Sequence, residues 1–271
     1  MIGQVHVRRR ATAASVGAII IGLSFLISTR AAAQLPDVAI VAAAATSSTA
    51  GQFTDPQAKL MSTGQFNSVT IINAATSTPT LAQLQQYDAV MTWSNVNYLD
   101  AVGLGNVMAD YVDSGGGVVV AVFANATTNT SRVLGGRWDA EGYEIVPAPG
   151  ASTTGSASMG TIVVPGHPIM QGVNSFAGGT SSFRPTTTAL TPGSTLIAQW
   201  SDGRTLVATG ANPHRVDLGF YPPSNAVSST WWDQNTDGAR LMGNALIYSI
   251  PEPSSAVVIL GAILGILRRR R

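Results

Sequence analysis

The sequence predicts an α/β domain in which a mainly parallel sheet lies between two layers of helices. Two observations support this prediction. The first half of the chain alternates strand patterns with helix patterns, and some strands are continuous apolar runs, such as Val38–Ala44 and Val118–Phe123. Such runs are typical of strands that are covered on both faces. Strands separated by helices pair in parallel through right-handed crossovers, which leads to the three-layer arrangement.

The other elements of the first half follow in a regular order. The most amphipathic helix is predicted over Asp100–Asp113, because its apolar side chains follow one stripe and a run of glycines ends it. Thr80 has the side chain of a good N-cap. The earlier elements are helices over Asp55–Ser62 and Thr80–Gln86 and strands over Val69–Ile72 and Ala89–Trp93.

The second half is richer in strands and ends in a helix. Ser201–Arg204 has the composition of a hairpin turn. A closing helix is predicted over Gly238–Tyr248, with Thr236 or Asp237 as its cap. The predicted strands are Ile162–Val164, Thr195–Trp200, Thr205–Thr209 and Arg215–Phe220.

The N-terminal residues 1–33 have the pattern of a secretory signal peptide. Three arginines, Arg8–Arg10, precede the mostly apolar segment Ala11–Ile27. Ala31 and Ala33 then offer an A-x-A site for signal peptidase, with Gln34 as the new N-terminus. The sequence therefore predicts export, and residues 1–33 are excluded from the fold.

The C-terminal residues 251–271 contain three parts in a fixed order. The triplet Pro251, Glu252 and Pro253 precedes the apolar run 256–267, and four arginines follow it (Arg268, Arg269, Arg270 and Arg271). This order resembles the PEP-CTERM sorting signal of exported bacterial proteins. The resemblance implies recognition and cleavage by the membrane protease-transpeptidase exosortase, after the helix over 256–267 has held the chain transiently in the inner membrane.

The physical properties of this tail agree with the resemblance. A helix over 256–267 is only about 18 Å long, and a bilayer usually takes roughly 20 apolar residues, so the terminal arginines must extend to the headgroups. Arginines favour the cytoplasmic side. This orientation places the body of the protein, the residues between the two terminal signals, outside the inner membrane. The alternative, a hydrophobic core helix, would show a polar face. We therefore expect a final location in the cell envelope, on the outer surface or in the extracellular matrix.

The charge of the body differs from that of the whole chain. Of 15 basic residues, eight lie in the two terminal segments, which leaves 15 − 8 = 7 between Gln34 and Ile250. Of 14 acidic residues, only Glu252 lies outside that span, which leaves 13 and a net charge of 7 − 13 = −6. Such a body lacks the basic surface that nucleic acid requires. The chain also contains no cysteine, which excludes thiolate catalysis and cysteine zinc sites.

A second resemblance spans residues 36–249. It rests on four segments in order: Tyr87–Asn95, Leu104–Phe123, Gly166–Val173 and Asp237–Tyr248. They resemble class I glutamine-amidotransferase-like domains, especially the trehalose-utilisation-type branch. The resemblance implies a flavodoxin-like fold without a bound nucleotide, and it specifies no substrate.

The catalytic members of that superfamily place a cysteine in the tight turn after a central strand. The equivalent strand here is Val118–Phe123, and Ala124-Asn125-Ala126 follows it. Without a nucleophile and an adjacent base, covalent acyl transfer has no basis, so the amidotransferase activity does not carry over. Asn125 and Thr127 are still expected to line a pocket, because open α/β sheets bind ligands at the carboxyl ends of their strands.

Two histidines of the body are further candidates for that pocket. His167 lies in a G-H-P turn and His214 in N-P-H-R. Histidines in turns are more often structural than catalytic, and these two lack the spacing of zinc ligands.

The segment before the closing helix resembles half of a calcium loop. Asp233, Asn235 and Asp237 alternate and a glycine follows, as in the first half of an EF-hand, but Asn244 stands where the bidentate Glu is needed. An acidic turn that caps the helix is the preferred interpretation. No other cofactor is expected. Trp231 and Trp232 precede this loop, and paired aromatic side chains in exported proteins sometimes stack on sugars, so polysaccharide is a possible partner.

Two hypotheses about function remain open. The first is a non-catalytic, exosortase-sorted protein of the envelope or matrix with a binding or structural role. The second is an extracellular hydrolase or carbohydrate-active enzyme that uses His167, His214 and acidic residues in an unrecognised arrangement. Convergent polar groups at the carboxyl ends of the strands would favour the second hypothesis.

Overall fold

The computed structural model describes residues 34–212 and 214–251, which contain ten strands and five α-helices. In chain order these are β1 (Asp37–Ala42), α1 (Gly51–Ser62), β2 (Ser68–Asn73), α2 (Leu81–Leu84), β3 (Ala89–Thr92), α3 (Ala101–Asp113), β4 (Gly117–Ala121), α4 (Arg137–Ala140), β5 (Ser152–Thr153), β6 (Met159–Ile162), β7 (Arg184–Pro185), β8 (Thr195–Trp200), β9 (Thr205–Thr209), β10 (Arg215–Leu218) and α5 (Gly238–Ser249).

Eight of these strands form one sheet, in the order β2-β1-β3-β4-β10-β9-β8-β6. The first five in this order pair in parallel, and the last three extend the sheet with antiparallel pairs. The strands β5 and β7 pair separately. The prediction of an α/β domain with a mainly parallel sheet is therefore confirmed. We call the side of the sheet where the parallel strands begin the amino edge, and the side where they end the carboxyl edge.

Helices cover both faces of the parallel strands, because successive side chains point to opposite faces of the sheet and are largely apolar on both. In β1, Ile40 packs in the same core cluster as Phe53 of α1 and Leu241 of α5. The next residue, Val41, packs on the other side with Leu104 of α3. The helices α1 and α5 thus form one layer and α2 and α3 the other, which is the three-layer arrangement expected from the sequence.

Local capping fixes where two helices begin. The Thr80 hydroxyl accepts a hydrogen bond from the Gln83 backbone N–H, and the Gln83 side chain accepts one from the Thr80 N–H, so the two form a capping box. Asp100 caps α3 through a bond from the Gly103 N–H at 2.8 Å. At α5, Asp237 occupies the N-cap position without making a side-chain cap.

The second half departs from the prediction in two places. The strand expected over Ile162–Val164 is β6, which begins at Met159 and ends at Ile162, with a shift in its register on β8 between these two residues. The short elements α4, β5 and β7 were not predicted, because segments of two to four residues carry no periodic pattern. The hairpin at Ser201–Arg204 joins β8 to β9 as expected, with the Trp200 N–H bonded to the Arg204 carbonyl at 2.8 Å.

Both ends of the described domain leave from the amino edge. Gln34 lies just before the start of β1. At the other end, a Cβ placed on Gly117 at the start of β4 would lie 2.5 Å from the Ser249 carbonyl oxygen, which puts the end of α5 at the same edge. Within the described residues, no helix is both long and apolar enough to cross a membrane.

Candidate functional site

The turn after β4 is where the resemblance to glutamine-amidotransferase-like domains would place a nucleophile. Asn125 lies there, but it is only 2% exposed. Its amide donates to Asp217 Oδ2 at 3.2 Å and to the Val120 carbonyl at 3.3 Å. The expectation that Asn125 lines an open pocket is therefore wrong, because its side chain is buried within the protein.

Asn125 belongs to a buried polar network under the carboxyl edge. Arg215 and Asp217 alternate with apolar residues along β10, are each 2% exposed, and form an ion pair at 3.3 Å. Arg215 also donates to the carbonyls of Tyr143 (2.9 Å) and Val118 (2.6 Å), and burial lowers its pKa to about 10. Burial likewise raises the pKa of Asp217. This network ties the segment before β5 to the sheet.

Thr127 is the other residue expected at this edge. It is half-buried, and its hydroxyl accepts a hydrogen bond from the Asn129 N–H at 3.2 Å, while its carbonyl accepts one from Gly150 at 3.0 Å. Thr127 therefore stabilises the loop that follows β4.

Aromatic side chains gather at the carboxyl edge beside this turn. Phe123 lies 4.9 Å from Phe183 and 5.6 Å from Tyr221, between ring centroids. Tyr221 meets Trp231 edge-on at 4.9 Å. Phe123, Phe183 and Trp231 are half-buried, and Tyr221 is buried. We call these four side chains the aromatic surface.

Arg132 adds a positive charge to the aromatic surface. Its guanidinium carbon lies 4.8 Å from the centre of the Phe123 ring. The side chain is held at the end of β3, where it donates to the Ser94 carbonyl at 3.2 Å, and the Ser94 hydroxyl donates to the Arg132 carbonyl at 2.7 Å. Burial lowers the pKa of Arg132 below its usual value, while the neighbouring Tyr221 and Tyr98 hydroxyls act in the opposite direction.

Several buried polar atoms around the aromatic surface have no hydrogen-bond partner. They are Arg132 Nε, the Tyr221 hydroxyl and the Ser182 hydroxyl. Ser182 and Tyr221 line the same narrow crevice, whose volume is about 10 Å³, roughly the space for one water molecule. Buried polar groups of this kind are rarely left without a partner.

A wider groove lies on the other side of the segment that carries Arg132. Its volume is about 480 Å³, and it is lined by Tyr98–Val102 on one wall and by residues around Ser131 and Leu134 on the other. Leu99 and Val102 are 60% and 56% exposed there. The carboxyl edge therefore presents a narrow crevice at the aromatic surface and a wider groove beside it.

The two histidines lie at the opposite side of the sheet. His214 comes just before β10, and its Nδ1 lies 3.2 Å from the Ser249 carbonyl at the amino edge. His167 packs on Tyr248 of α5 at 4.7 Å between ring centroids, and burial lowers its pKa. His214 and Tyr248 line an amino-edge cavity of about 660 Å³. The structure thus does not bring His167 and His214 together with Asn125 and Thr127.

The three residues of the calcium-like loop bond to protein groups. Asp237 Oδ2 accepts hydrogen bonds from the backbone N–H groups of Asn174 and Ser175 at 2.8 and 2.9 Å. Asp233 Oδ1 accepts from the backbone and side chain of Asn235 at 3.0 and 2.9 Å. Among the described residues, no group of three or more histidine or acidic side chains is placed to hold a metal ion.

Most residues of the two terminal signals lie outside the described residues. These are the cleavage-site residues Ala31 and Ala33, the motif residues Glu252 and Pro253, the helix over 256–267 and the terminal arginines Arg268, Arg269, Arg270 and Arg271. Gln34 and Pro251 are described, and both lie beside the amino edge.

Sequence reasoning missed the residues that form the carboxyl-edge site. The aromatic surface joins positions that are distant in the chain, from Phe123 to Trp231, and no local motif links them. One signal was available for Arg132: it is among only seven basic residues in a body of net negative charge. Of the lysines and arginines that the structure describes, Arg132 and Arg240 alone have no carboxylate within 4.0 Å.

The fold is similar to that of several solved structures. A ThuA-like protein from Bacteroides uniformis superposes with a TM-score of 0.58 at 14% identity, over 84% of this chain and 97% of that one. A protein from Salmonella typhimurium that is named as cytoplasmic gives 0.54 at 11% identity, over 79% and 98%. A ThuA-like protein from Parabacteroides merdae gives 0.51 at 11% identity, over 80% and 90%.

At these identities the likeness establishes the fold alone. The domain therefore has an α/β fold similar to that of ThuA-like proteins, in agreement with the trehalose-utilisation-type resemblance in the sequence. Neither a protein-family model nor a curated protein matches the chain.

Proposed function

We propose that the chain is an exported protein, sorted by exosortase to the cell envelope or extracellular matrix, whose α/β domain binds a ligand without transforming it. The observation that carries the binding role is the composition of the carboxyl edge. There Arg132, without a carboxylate partner, lies against the half-buried Phe123 ring of the aromatic surface, while Asn125 follows β4, where the resemblance would place a nucleophile. Charged and aromatic groups of this kind are typical of recognition surfaces.

The places where the domain ends support the sorting part of the proposal. Pro251, the first residue of the PEP triplet, leaves the domain beside the amino edge. If the following residues enter the inner membrane, the carboxyl edge lies on the side of the domain away from the attachment point. A binding surface at that edge is then free to meet a partner outside the membrane.

The alternative, an extracellular hydrolase or carbohydrate-active enzyme, finds less support. General acid–base catalysis requires its groups within hydrogen-bond reach of one substrate. The amino-edge cavity that His214 lines has no acidic side chain among its described lining residues, and His167 packs on Tyr248.

Intact mass spectrometry of the protein exported by a host with active exosortase tests the sorting. We expect a species that begins at Gln34 and has lost Arg268–Arg271. The same export in a strain without exosortase is the matched control, and it should yield a species that keeps the tail. A species that retains residues 1–33 in both strains would contradict export, and a tail kept in both would contradict cleavage.

A further inference from the structure

We propose that Arg132 and the aromatic surface form a binding site for carboxylate-bearing sugars, such as the uronate units of an acidic polysaccharide. This inference rests on the proposed binding function and names the class of its ligand. Three features of the described residues carry it: an unneutralised charge, unpartnered donors, and the shape of the surface.

The charge of Arg132 is not neutralised within the protein. Five of the seven described lysines and arginines have a carboxylate within 4.0 Å, as in the pair of Arg184 with Asp202 at 2.7 Å. Arg132 has none, although its side chain is half-buried and the body carries an excess of acidic residues. Burying a charge without a partner costs free energy. A guanidinium is matched best by a carboxylate, which it binds through two parallel hydrogen bonds, so a ligand carboxylate would offset that cost.

The unpartnered donors lie in the same place. Tyr221 is only 4% exposed and its hydroxyl has no partner, and Arg132 Nε is also without one. Both groups neighbour the Phe123 ring, whose centre lies 4.8 Å from the guanidinium carbon of Arg132 and 5.6 Å from the centre of the Tyr221 ring. Two unpartnered donors close to an aromatic ring suit a ligand that carries oxygen atoms around an apolar ring face, as a sugar does. Phe123, Phe183 and Trp231 are the rings available for that face, since all three are half-buried.

The shape of the surface favours a unit of a polymer over a small molecule. Pockets that enclose small ligands have volumes of roughly 300–1,000 Å³, whereas the crevice beside Tyr221 has only about 10 Å³. A sugar ring cannot enter it and must lie across its rim. A chain of sugars can extend from there over the carboxyl edge, next to the groove of about 480 Å³ along Tyr98–Val102.

Isothermal titration calorimetry of the exported protein with tri-galacturonate and tri-mannuronate tests the inference. We expect at least one of them to bind, and its methyl ester, which has the same ring without the charge, to bind at least tenfold more weakly. Arg132→Gln should weaken binding of the acid at least tenfold. Arg240→Gln is the matched control, because it removes the other unpaired arginine from the exposed side of α5, and it should leave binding unchanged.

Two further variants keep the test decisive. Trp231→Ala should weaken binding of the acid and of the ester by the same factor, because it removes part of the ring contact and no charge. If Arg132→Gln does not fold, Arg132→Lys keeps the charge without the planar fork, and we expect it to bind at least threefold more weakly than the wild type.

Equal binding of acid and ester, no binding of either acid, or unchanged binding by the folded Arg132 variant would each overturn the inference. Binding of neutral dextran in place of the acids would do so as well, while the proposed binding function would stand. Failure of export would instead contradict the proposed function and leave the titration result valid.

Discussion

The carboxyl group of Glu144 is half-buried near the Arg215–Asp217 network. Burial raises its pKa to about 7, and the nearby Asp139 and Asp217 carboxylates raise it further. The Ala148 N–H acts in the opposite direction, because it donates a hydrogen bond to Glu144 Oε2 at 3.2 Å. The unfolded chain releases this proton near its usual pKa, about 4.3. The folded state therefore binds more protons between these two values, and Glu144 makes stability fall as pH rises through that window.

Glu144→Gln should remove this dependence. Between pH 4.5 and pH 7, we expect the free energy of unfolding of the variant to rise by about 1 kcal/mol relative to that of the wild type. This value is smaller than the full effect of the pKa shift, because solvent screens a partly exposed group. Urea unfolding at several pH values measures the difference. Glu141→Gln is the control. Glu141 is exposed, and hydrogen bonds from Arg137 lower its pKa, so its titration changes the stability only at pH values below this window. A difference between wild type and Glu144→Gln that does not change with pH would contradict the prediction.

The ion pair of Arg215 with Asp217 is the second prediction at this scale. Arg215→Ala leaves the Asp217 carboxylate buried without its cation and removes the contact with the Trp138 ring, 4.1 Å from the guanidinium. We expect a loss of about 3–5 kcal/mol in the free energy of unfolding. Arg204→Ala, which breaks a partly exposed pair with Asp202, should cost less than about 1 kcal/mol. Similar losses in the two variants would show that burial of the pair has little effect.

At the scale of elements, the packing of α3 depends on Gly105. A Cβ at this position would lie 2.0 Å from the Gly135 carbonyl oxygen in the loop before α4. Replacing glycine by alanine inside a helix normally gains up to about 1 kcal/mol. Here the clash with the Gly135 backbone outweighs that gain, and we expect Gly105→Ala to lower the free energy of unfolding by about 1–3 kcal/mol.

Gly243→Ala in α5 is the matched comparison. Its new Cβ would meet Gln65 Oε1 at 2.1 Å, the far end of a flexible side chain that can move away. We expect a neutral to slightly favourable change in melting temperature. If both variants lose stability equally, the approach of α3 to Gly135 is looser than the structure indicates.

The loop before α5 gives the second prediction at this scale. Because Asp237 already accepts hydrogen bonds from Asn174 and Ser175, we expect millimolar calcium to leave the melting temperature unchanged within about 1 °C, in contrast to a true site. Asp237→Ala should lower the melting temperature equally with and without calcium, since two backbone donors lose their acceptor. A rise of several degrees with calcium that Asp233→Ala abolishes would restore the calcium interpretation.

For the whole molecule, the absence of cysteine permits a direct test of location. Leu99 lies at the carboxyl edge and is 60% exposed. In spheroplasts, Leu99→Cys should react with a membrane-impermeant maleimide before lysis, because we propose that the body lies outside the inner membrane. The wild-type chain, without cysteine, is the control for background. Labelling of Leu99→Cys only after lysis would place the body in the cytoplasm.

Much of the fold was predictable because its signals are local. The apolar runs of β1 and β4 and the cap Thr80 lie within a few residues of the elements they define. The exact position of β6 was not predictable, because it depends on irregular pairing with β8, whose register shifts between Met159 and Ile162. The geometry of the site was also not predictable, because it depends on contacts between residues that are far apart in the chain. Asn125 was correctly placed after a central strand, but its burial follows from Asp217, 92 positions later.

The sequence by itself determined the α/β class, the order of the main elements, the negative charge of the body and the lack of a cysteine nucleophile. These properties depend on periodicity and composition, which each segment carries independently of the others. Only the tertiary structure decided that the histidines lie at the amino edge and that Arg132 meets Phe123, Tyr221 and Trp231 at the carboxyl edge. Contacts between residues far apart in the chain arise from the packing of strands and loops, and no local pattern encodes them.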